Sequence, residues 1–458
     1  MSDLYGLLFR NILHPGWESG LRRRPTLSHL RQLRRSEWFA LDELEALQTT
    51  ALRRLLEHAH AHSPYYRRTF RERGLDPGDV RSLDDLRKLP LLTRREASLY
   101  DRKSSVDPLP LIGKMTSGST GNPLAFAYDV GSEHWRQATK LRGYGWARYR
   151  PGDRTLHFWG STAGVKPPPL EQRVKIAIDR HLRREHYVDC ADHSEEALAD
   201  VVRQIRELRP AVIVCYARAG ASLARHVVET RSRDWPDIVV IAAAEKLFPA
   251  DRAVLAEAFG PSVFESYGSR EFMLMAAECE CHQGLHLSME NLLVEVIVRD
   301  QDGERPAAPG EVGEVVVTDL HNYGAPFIRY VNGDLAVLAP RTRCACGRAL
   351  RRLECVEGRE SDTLRDGHGR PVGGLYFSVI FSALADAVRG FQVVQRKDRS
   401  IDLKLVPGAR FDDAVLERVR RDCARAIPGV ELRTHVVPDI PAEPTGKRRV
   451  VRVEADSS

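Results

Sequence analysis

Nine residues, Met115–Pro123, read MTSGSTGNP and set two glycines among four hydroxyl side chains. Such a loop suits phosphate: Gly118 and Gly121 let the backbone approach closely, and Thr116, Ser117, Ser119 and Thr120 offer hydroxyls and backbone N–H donors. The same composition also makes ordinary surface turns, so the rest of the chain has to decide. Further chemistry-bearing clusters follow in order: AAAEK (242–246), ESYGSRE (265–271), FIRYVNGDL (327–335), GRESD (358–362) and PTGKRR (444–449). Two other clusters, AECECHQGLHL and RCACGR, carry soft and borderline metal ligands on short turns.

These clusters need elements to hold them. Residues 1 to about 100 read as mostly helical, with apolar positions three and four apart in LDELEALQTTALRRLLEHAHAH and stops at SPYY, Gly74 and Pro77. Ser82, three residues before Asp85, is a candidate helix cap. Beyond residue 105, short β-type runs such as AVIVCY, DIVVIAAAE, NLLVEVIV and GEVVVTDL appear; up to about residue 290 they alternate with helical stretches such as SEEALADVVRQIRELRP. That alternation predicts an α/β domain with a parallel or mixed sheet, followed by a β-rich part. After Gly358 the strands FQVVQRK, SIDLKLV and VELRTHVV, with a helix through FDDAVLERVRRDCARAI, predict a small α+β domain.

Bulk properties narrow the class. The 458 residues are too many for one ordinary core. The chain is 43% hydrophobic and 29% charged, near globular averages, and no apolar run approaches the roughly 18 residues of a membrane span. The start lacks a secretion-signal pattern, and eight cysteines in so long a chain suit a reducing compartment, so the cytoplasm is the expected location. A net charge of +6 carried largely by dispersed arginines argues against a nucleic-acid arm and suits small anionic ligands.

Taken in order, the clusters resemble the adenylate-forming superfamily, most closely its phenylacetate–CoA ligase and CapK-like branch. The resemblance runs from SPYYRRTF and LPLLTRREA to the terminal lysine. It implies a large multi-subdomain α/β adenylation domain over 1–357 and a small mobile α+β lid over 358–458. It also implies activation of a carboxylic acid by ATP, with release of pyrophosphate and transfer of the acyl group to a thiol, most simply coenzyme A. Under it, Thr116, Ser117, Gly118, Ser119, Thr120 and Gly121 hold the ATP phosphates, and Glu271 holds Mg²⁺. Tyr267 and Gly268 line the adenine pocket, which the backbone of Ala244 and Glu245 flanks. Asp334 accepts the ribose hydroxyls and Arg359 contacts the ribose. Asp362 is the hinge, and Lys447 is the catalytic lysine that bridges carboxylate and α-phosphate. One position departs from the pattern: Asn122 stands where the family usually has lysine, so the loop brings no cation and needs Mg²⁺ or an arginine from elsewhere.

The resemblance also bears on the cysteines, since members of the branch carry cysteines in equivalent places. It points to a structural Zn²⁺ held by Cys279, His286, Cys344 and Cys346, with Cys281 or His282 able to substitute. Cys190, Cys215, Cys355 and Cys423 read as isolated thiols, and Arg329 as a core salt-bridge arginine or a phosphate contact, with the structural role favoured. His157 and Trp159 are candidates for the acyl pocket. The expected partners are a small-molecule carboxylate and an acceptor nucleophile, with no nucleic acid and no membrane, and a homodimer is the candidate assembly. Two alternatives stand beside this reading: transfer to an amine, hydroxyl or carrier-protein acceptor, and, from another class, a zinc-bearing nucleic-acid-binding protein.

Overall fold

The structure is a computed structural model that describes residues 3–116, 124–160, 169–190, 192, 194–300, 303–359, 364–368, 371–372, 377, 380–381, 384, 387–441 and 450–454. The chain divides into two compact units, Met1–Asp153 with Phe264–Val356, and Arg154–Val263 with Glu357–Ser458. The chain passes to the second unit for the last time at Val356/Glu357. Residues 154–263 group with the C-terminal hundred, a partition that no local pattern marks.

In the first unit, the leucine spacing of the N-terminal third becomes the helix Leu41–His62, which buries Leu44, Leu52, Leu55 and Leu56. Asp42 and Glu43 in its first turn and His60 and His62 in its last complement the helix dipole. Pro64 opens the next helix at a position where its missing N–H costs nothing, and Gly74, at φ 62°, closes it in the left-handed conformation. Ser82 and Asp85 exchange hydrogen bonds as expected, though around a 3₁₀ turn, Asp84–Lys88.

The same unit carries a largely antiparallel sheet. Its strands run in the spatial order Gly303–Pro306, Leu292–Asp300, Val312–Asp319, Tyr330–Leu338, Arg352–Arg359, Leu285–Leu287, Met273–Glu278 and Val263–Ser269. Leu92 adds a one-residue parallel bridge to Tyr330; its N–H donates to the Arg329 carbonyl at 2.8 Å, and its carbonyl accepts the Val331 N–H at 3.0 Å. Arg329 is fully buried and pairs with Glu295 at 3.2 Å and Glu304 at 2.6 Å, while donating to the Leu89 carbonyl at 2.7 Å. Its role is the structural one expected: it ties the LPLL segment to the sheet.

In the second unit, Val239–Ala243, Val212–Tyr216, Thr155–Phe158 and Glu185–Val188 form a parallel sheet in that order. Every residue of Val212–Tyr216 is buried, which explains why this strand reads as a continuous apolar run instead of an alternation. Helices Glu195–Leu208, Ala217–Glu229 and Pro249–Phe259 accompany the sheet, the first capped by the Ser194 side chain. The C-terminal part forms a four-stranded sheet in the order Leu432–Val436, Ile401–Pro407, Val388–Gln395 and Val451–Val453, with the helix Asp413–Ala426. Phe391, Leu403, Val419 and Ile427 belong to its own core.

Candidate active site and metal centre

Thr116 stands at the foot of the glycine-rich loop. Its N–H donates to the Leu124 carbonyl at 2.9 Å, and its Oγ1 accepts the Leu124 N–H at 2.8 Å, so residues 116 and 124 are pinned together across the loop. Residues 117–123, including Ser117, Gly118, Ser119, Thr120 and Gly121, lie outside the described residues. The Thr116 Oγ1 also accepts from the Arg94 guanidinium at 2.8 Å, and another nitrogen of Arg94 lies 3.9 Å from the Glu271 carboxylate. Arg94 reaches this point because Leu92 is bridged to the sheet and Thr93 caps a short helix, Arg94–Leu99. The Thr93 hydroxyl accepts the Glu96 N–H at 3.2 Å, and the Glu96 carboxylate accepts the Thr93 N–H at 2.8 Å. A second arginine, Arg270, donates to the Met115 carbonyl at 3.1 Å.

Glu271 occupies the turn between strands Val263–Ser269 and Met273–Glu278. Its side chain is buried, and its carbonyl accepts from the buried Arg136, which in turn pairs with Asp319. The neighbouring Tyr330 phenol is pushed up by burial and further by the Glu271 charge, so it stays neutral. A single carboxylate at the foot of the glycine-rich loop is the kind of ligand Mg²⁺ takes, since that ion keeps waters and substrate oxygens in its shell and rarely sits in an all-protein cage.

The hairpin that carries Glu271 depends on Gly268. The strand pair has a register shift at Tyr267/Gly268, and a Cβ at Gly268 would lie 1.9 Å from the Met273 carbonyl oxygen. Tyr267 is thereby fixed with its ring buried and its hydroxyl donating to Asp334 at 2.7 Å. Asn332 donates to the Tyr267 hydroxyl at 3.0 Å and also reaches the Asp334 carboxylate. Asp334 follows Gly333, at φ 80°, on the strand Tyr330–Leu338. The sequence-predicted Tyr267, Gly268 and Asp334 therefore lie together.

In the second unit, Ala244 directly follows the parallel strand Val239–Ala243 and has φ 65°, a left-handed conformation uncommon for a residue with a Cβ. Glu245 accepts the Arg218 N–H at 3.1 Å and so serves the open N-terminus of the helix Ala217–Glu229. Trp159, just beyond the strand Thr155–Phe158, meets Tyr216 edge-on at 4.5 Å. These residues share the carboxyl ends of parallel strands, where α/β sheets bind ligands. His157 instead stacks on Tyr187 at 4.3 Å, and Tyr187 also lies under the Arg180 guanidinium. Lys246 pairs with Glu357 at 3.0 Å, both largely buried, immediately before Gly358 at φ 117°. Arg359 ends the strand Arg352–Arg359; Asp362 and Lys447 lie outside the described residues.

Cys279, His286, Cys344 and Cys346 converge in the first unit, with one ligand atom of each within 4.8 Å of all the others. Cys279 Sγ lies 3.8 Å from Cys344 Sγ, and Cys346 Sγ lies 3.4 Å from His286 Nε2. A zinc tetrahedron with bonds of about 2.3 Å to sulfur and about 2.0 Å to nitrogen has edges of roughly 3.8 and 3.6 Å, so these two distances suit zinc. His286 is fully buried; burial, with Arg348 and Arg352 adding, lowers its pKa to about 4, leaving the neutral imidazole that a metal requires. Burial pushes the Cys279 thiol up. At Cys346 burial acts upward most strongly of any single cause, but hydrogen bonds from Arg348, Cys344 and Cys279 together hold the thiol below its usual range. Arg348 is itself clamped between the Trp38 and Trp146 rings, at 4.6 and 5.0 Å, and pairs with Glu37 and Glu280. Of the substitutes, His282 turns to Glu278 at 3.2 Å, and Cys281 is not one of the four mutually close ligands. Cys190, Cys215 and Cys423 are buried, and burial raises the Cys190 thiol to about 12, as expected for inert thiols.

Sequence reasoning missed Arg94, Asn332 and Arg348. Asn332 sits inside the quoted FIRYVNGDL and could have been found there, two residues before Asp334. Arg94 and Arg348 likewise lie inside the quoted LPLLTRREA and RCACGR, but nothing in those phrases marks their roles, because each is brought to its site by tertiary pairing.

No family model matches the chain. Among curated proteins, the phenylacetate-coenzyme A ligase of Thermus thermophilus is 27% identical over 375 residues, covering 79% of this chain and 80% of that protein. The Escherichia coli protein of the same name is 28% identical over 342 residues, covering 72% and 74%. Among solved structures, a 2-hydroxyisobutyryl-CoA ligase in the postadenylation state, in complex with R3-HIB-AMP, aligns with a TM-score of 0.70 over 92% of each chain at 19% identity, a likeness of fold. With the ordered motifs from Thr116 to Asp334 now placed, the chain is similar along most of its length to phenylacetate-coenzyme A ligases and shares the fold of an adenylate-forming CoA ligase.

Proposed function

We propose that the protein is an AMP-forming ligase that activates a carboxylic acid with ATP and passes the acyl group to coenzyme A. The observation that carries this reading is the pair of constellations in the first unit, Thr116–Arg94–Glu271 and Tyr267–Asn332–Asp334, in a chain similar to phenylacetate-coenzyme A ligases along most of its length. The substrate carboxylate attacks the α-phosphorus in line, the bond to the β-phosphate oxygen breaks, and pyrophosphate departs. Catalysis is positioning and charge stabilisation, so no general base is needed for a carboxylate that is already ionised. Arg94 takes the place of the missing loop cation: it reaches the foot of the loop through Thr116 and presents a planar donor set to phosphate oxygens. Glu271 would hold Mg²⁺, which neutralises the departing phosphates when bound. The Asp334 carboxylate, oriented by Tyr267 and Asn332, accepts the ribose hydroxyls, and the backbone of Ala244 and Glu245 flanks the adenine. Arg359, Asp362 and Lys447 carry the ribose, hinge and catalytic-lysine roles on a lid over 358–458. Cys279, His286, Cys344 and Cys346 hold a structural Zn²⁺ that ties two turns of the large domain together. The protein works in the cytoplasm, where these thiols stay reduced.

Exchange of labelled pyrophosphate into ATP, driven by acids from a broad aryl and alkyl panel and followed by a chase with CoA, an amine or an acceptor alcohol, tests the reading. Acid-dependent exchange followed by a thioester is the expected result. Amide or ester formation without thioester would move the acceptor to the other branch of the family. Folded protein with no exchange for any acid would refute adenylation.

A further inference from the structure

The first helical segment is built inside out. From Leu4 to Leu21 the chain is continuously helical, in alternating α and π turns. Its inner face holds Gly6, Phe9, His14 and Glu18, with Phe9 packed on Gly152 and Arg10 paired to Asp153 at 3.5 Å. Its outer face is apolar: Leu4 is 77% exposed, Ile12 62% and Leu21 70%, with Leu7, Leu8 and Trp17 between them. An ordinary surface helix of a soluble domain has the opposite arrangement.

Charge says what covers this face. Residues 1–36 hold seven arginines against two acids, Asp3 and Glu18, and so carry five of the six net positive charges of the whole chain. Asp3 caps the helix through the Gly6 N–H at 3.2 Å, and the buried Glu18 offsets Arg24 at 3.2 Å as Asp153 offsets Arg10 at 3.5 Å, so the charge that faces outward is carried by the arginines beyond these pairs. Arg22 and Arg23 are exposed at the end of the apolar face, and the Arg22 guanidinium lies 4.8 Å from the centre of the Trp17 ring, so cation and aromatic share one surface. An isologous contact with a second copy would bring two such arginine clusters to one patch, whereas acidic lipid would neutralise them.

We propose that Leu4–Leu21 and the arginines following it form an in-plane docking surface for an anionic phospholipid bilayer, with Leu8, Ile12 and Trp17 entering the headgroup boundary and Arg22 and Arg23 pairing with lipid phosphates. Among the described residues no helix is long and apolar enough to cross a membrane, and this mode requires none, because the segment lies on the surface. Such docking departs from the expectation of no membrane partner.

The test is co-sedimentation of the full chain with vesicles of mixed phosphatidylglycerol and phosphatidylcholine against vesicles of phosphatidylcholine alone. Binding to the mixed vesicles that weakens with salt is the expected result. The double variant Arg22→Ala/Arg23→Ala should lose affinity roughly 25-fold, about fivefold per arginine. Ile12→Asp, at an exposed position that leaves folding intact, should lose at least about tenfold, and pyrophosphate exchange without vesicles should be unchanged in both variants. Equal binding to neutral vesicles, no binding at low ionic strength, or unchanged binding by the variants would overturn the proposal. So would a dimer in sedimentation equilibrium that Ile12→Asp dissolves, which would assign the face to a second copy.

Discussion

Replacing Arg94 by methionine keeps the length of the side chain and removes its charge, the perturbation that bears most directly on how a loop with Asn122 can hold a triphosphate. Two unit charges about 4 Å apart at an effective dielectric constant near 20 interact by about 4 kcal/mol. The Arg94 side chain is 38% exposed, so solvent screens part of this, and the usual range for a hydrogen bond to a charged group, about 1.5–3 kcal/mol, is the better figure. At about 1.4 kcal/mol per decade this predicts a roughly 10- to 150-fold fall in kcat/KM for ATP in pyrophosphate exchange, with KM for the acid unaffected. Stability should change little, because Thr116 keeps both of its hydrogen bonds to Leu124 when the guanidinium is gone. Arg94→Lys should recover part of the loss, since an ammonium restores the charge but cannot reach Thr116 and Glu271 with separate nitrogens. An ATP dependence within twofold of the natural protein in Arg94→Met would refute the assignment and leave Mg²⁺ and the lid lysine to supply the positive charge.

Three further outcomes follow from the same geometry. Gly268→Ala sets a Cβ against the Met273 carbonyl in a hairpin whose neighbours are all backbone; it should destabilise the protein by about 3 kcal/mol in urea unfolding and abolish exchange, because Tyr267 and Glu271 both move with the hairpin. Purified protein should contain about one zinc per chain by elemental analysis, and Cys344→Ser should lose the metal and at least about 3 kcal/mol of stability, because the site joins turns far apart in sequence. His321, stacked on Trp135 at 3.9 Å and hydrogen-bonded to the Glu290 carbonyl, is lowered from 6.5 to about 4, first by burial. Below pH 6.5 the unfolded chain takes up a proton that the folded chain refuses. The His321 contribution to stability should therefore be level above pH 6.5 and fall by roughly 3 kcal/mol as pH drops toward 4, beside similar contributions from His29 and His286, and His321→Phe should make the slope shallower by that share in urea titrations at successive pH values.

The parts of this protein that were legible in sequence are those whose chemistry is local. The strand Val212–Tyr216 reads as buried because it is apolar at every position, and the helix stop at Gly74 reads from the residue that most easily adopts φ 62°. Tyr267 and Asp334 were found singly, through the resemblance. Their direct hydrogen bond, and the Asn332 that braces it, belong to the pairing of two distant strands. The cysteines lie between these cases. Residue type marked both clusters, and the structure joins the four residues named for the site, with His282 drawn away by Glu278. The partition of the chain into its two units was not legible, since it depends on which surfaces pack and leaves no local mark.

Arg94 shows how a site can be completed by a residue that local pattern does not mark. The phrase LPLLTRREA supplies a bridge at Leu92, a helix cap at Thr93 and a cation at Arg94 in three consecutive residues. The buried Arg329 makes the first of these possible, because its carbonyl receives the Leu92 N–H while its guanidinium binds the Leu89 carbonyl and two glutamates. A structural ion pair in the sheet is thus coupled to a charge at the foot of the glycine-rich loop through five residues of backbone. Loss of Arg329 should therefore lower the affinity for ATP as well as stability, although Arg329 itself touches no part of the loop among the described residues.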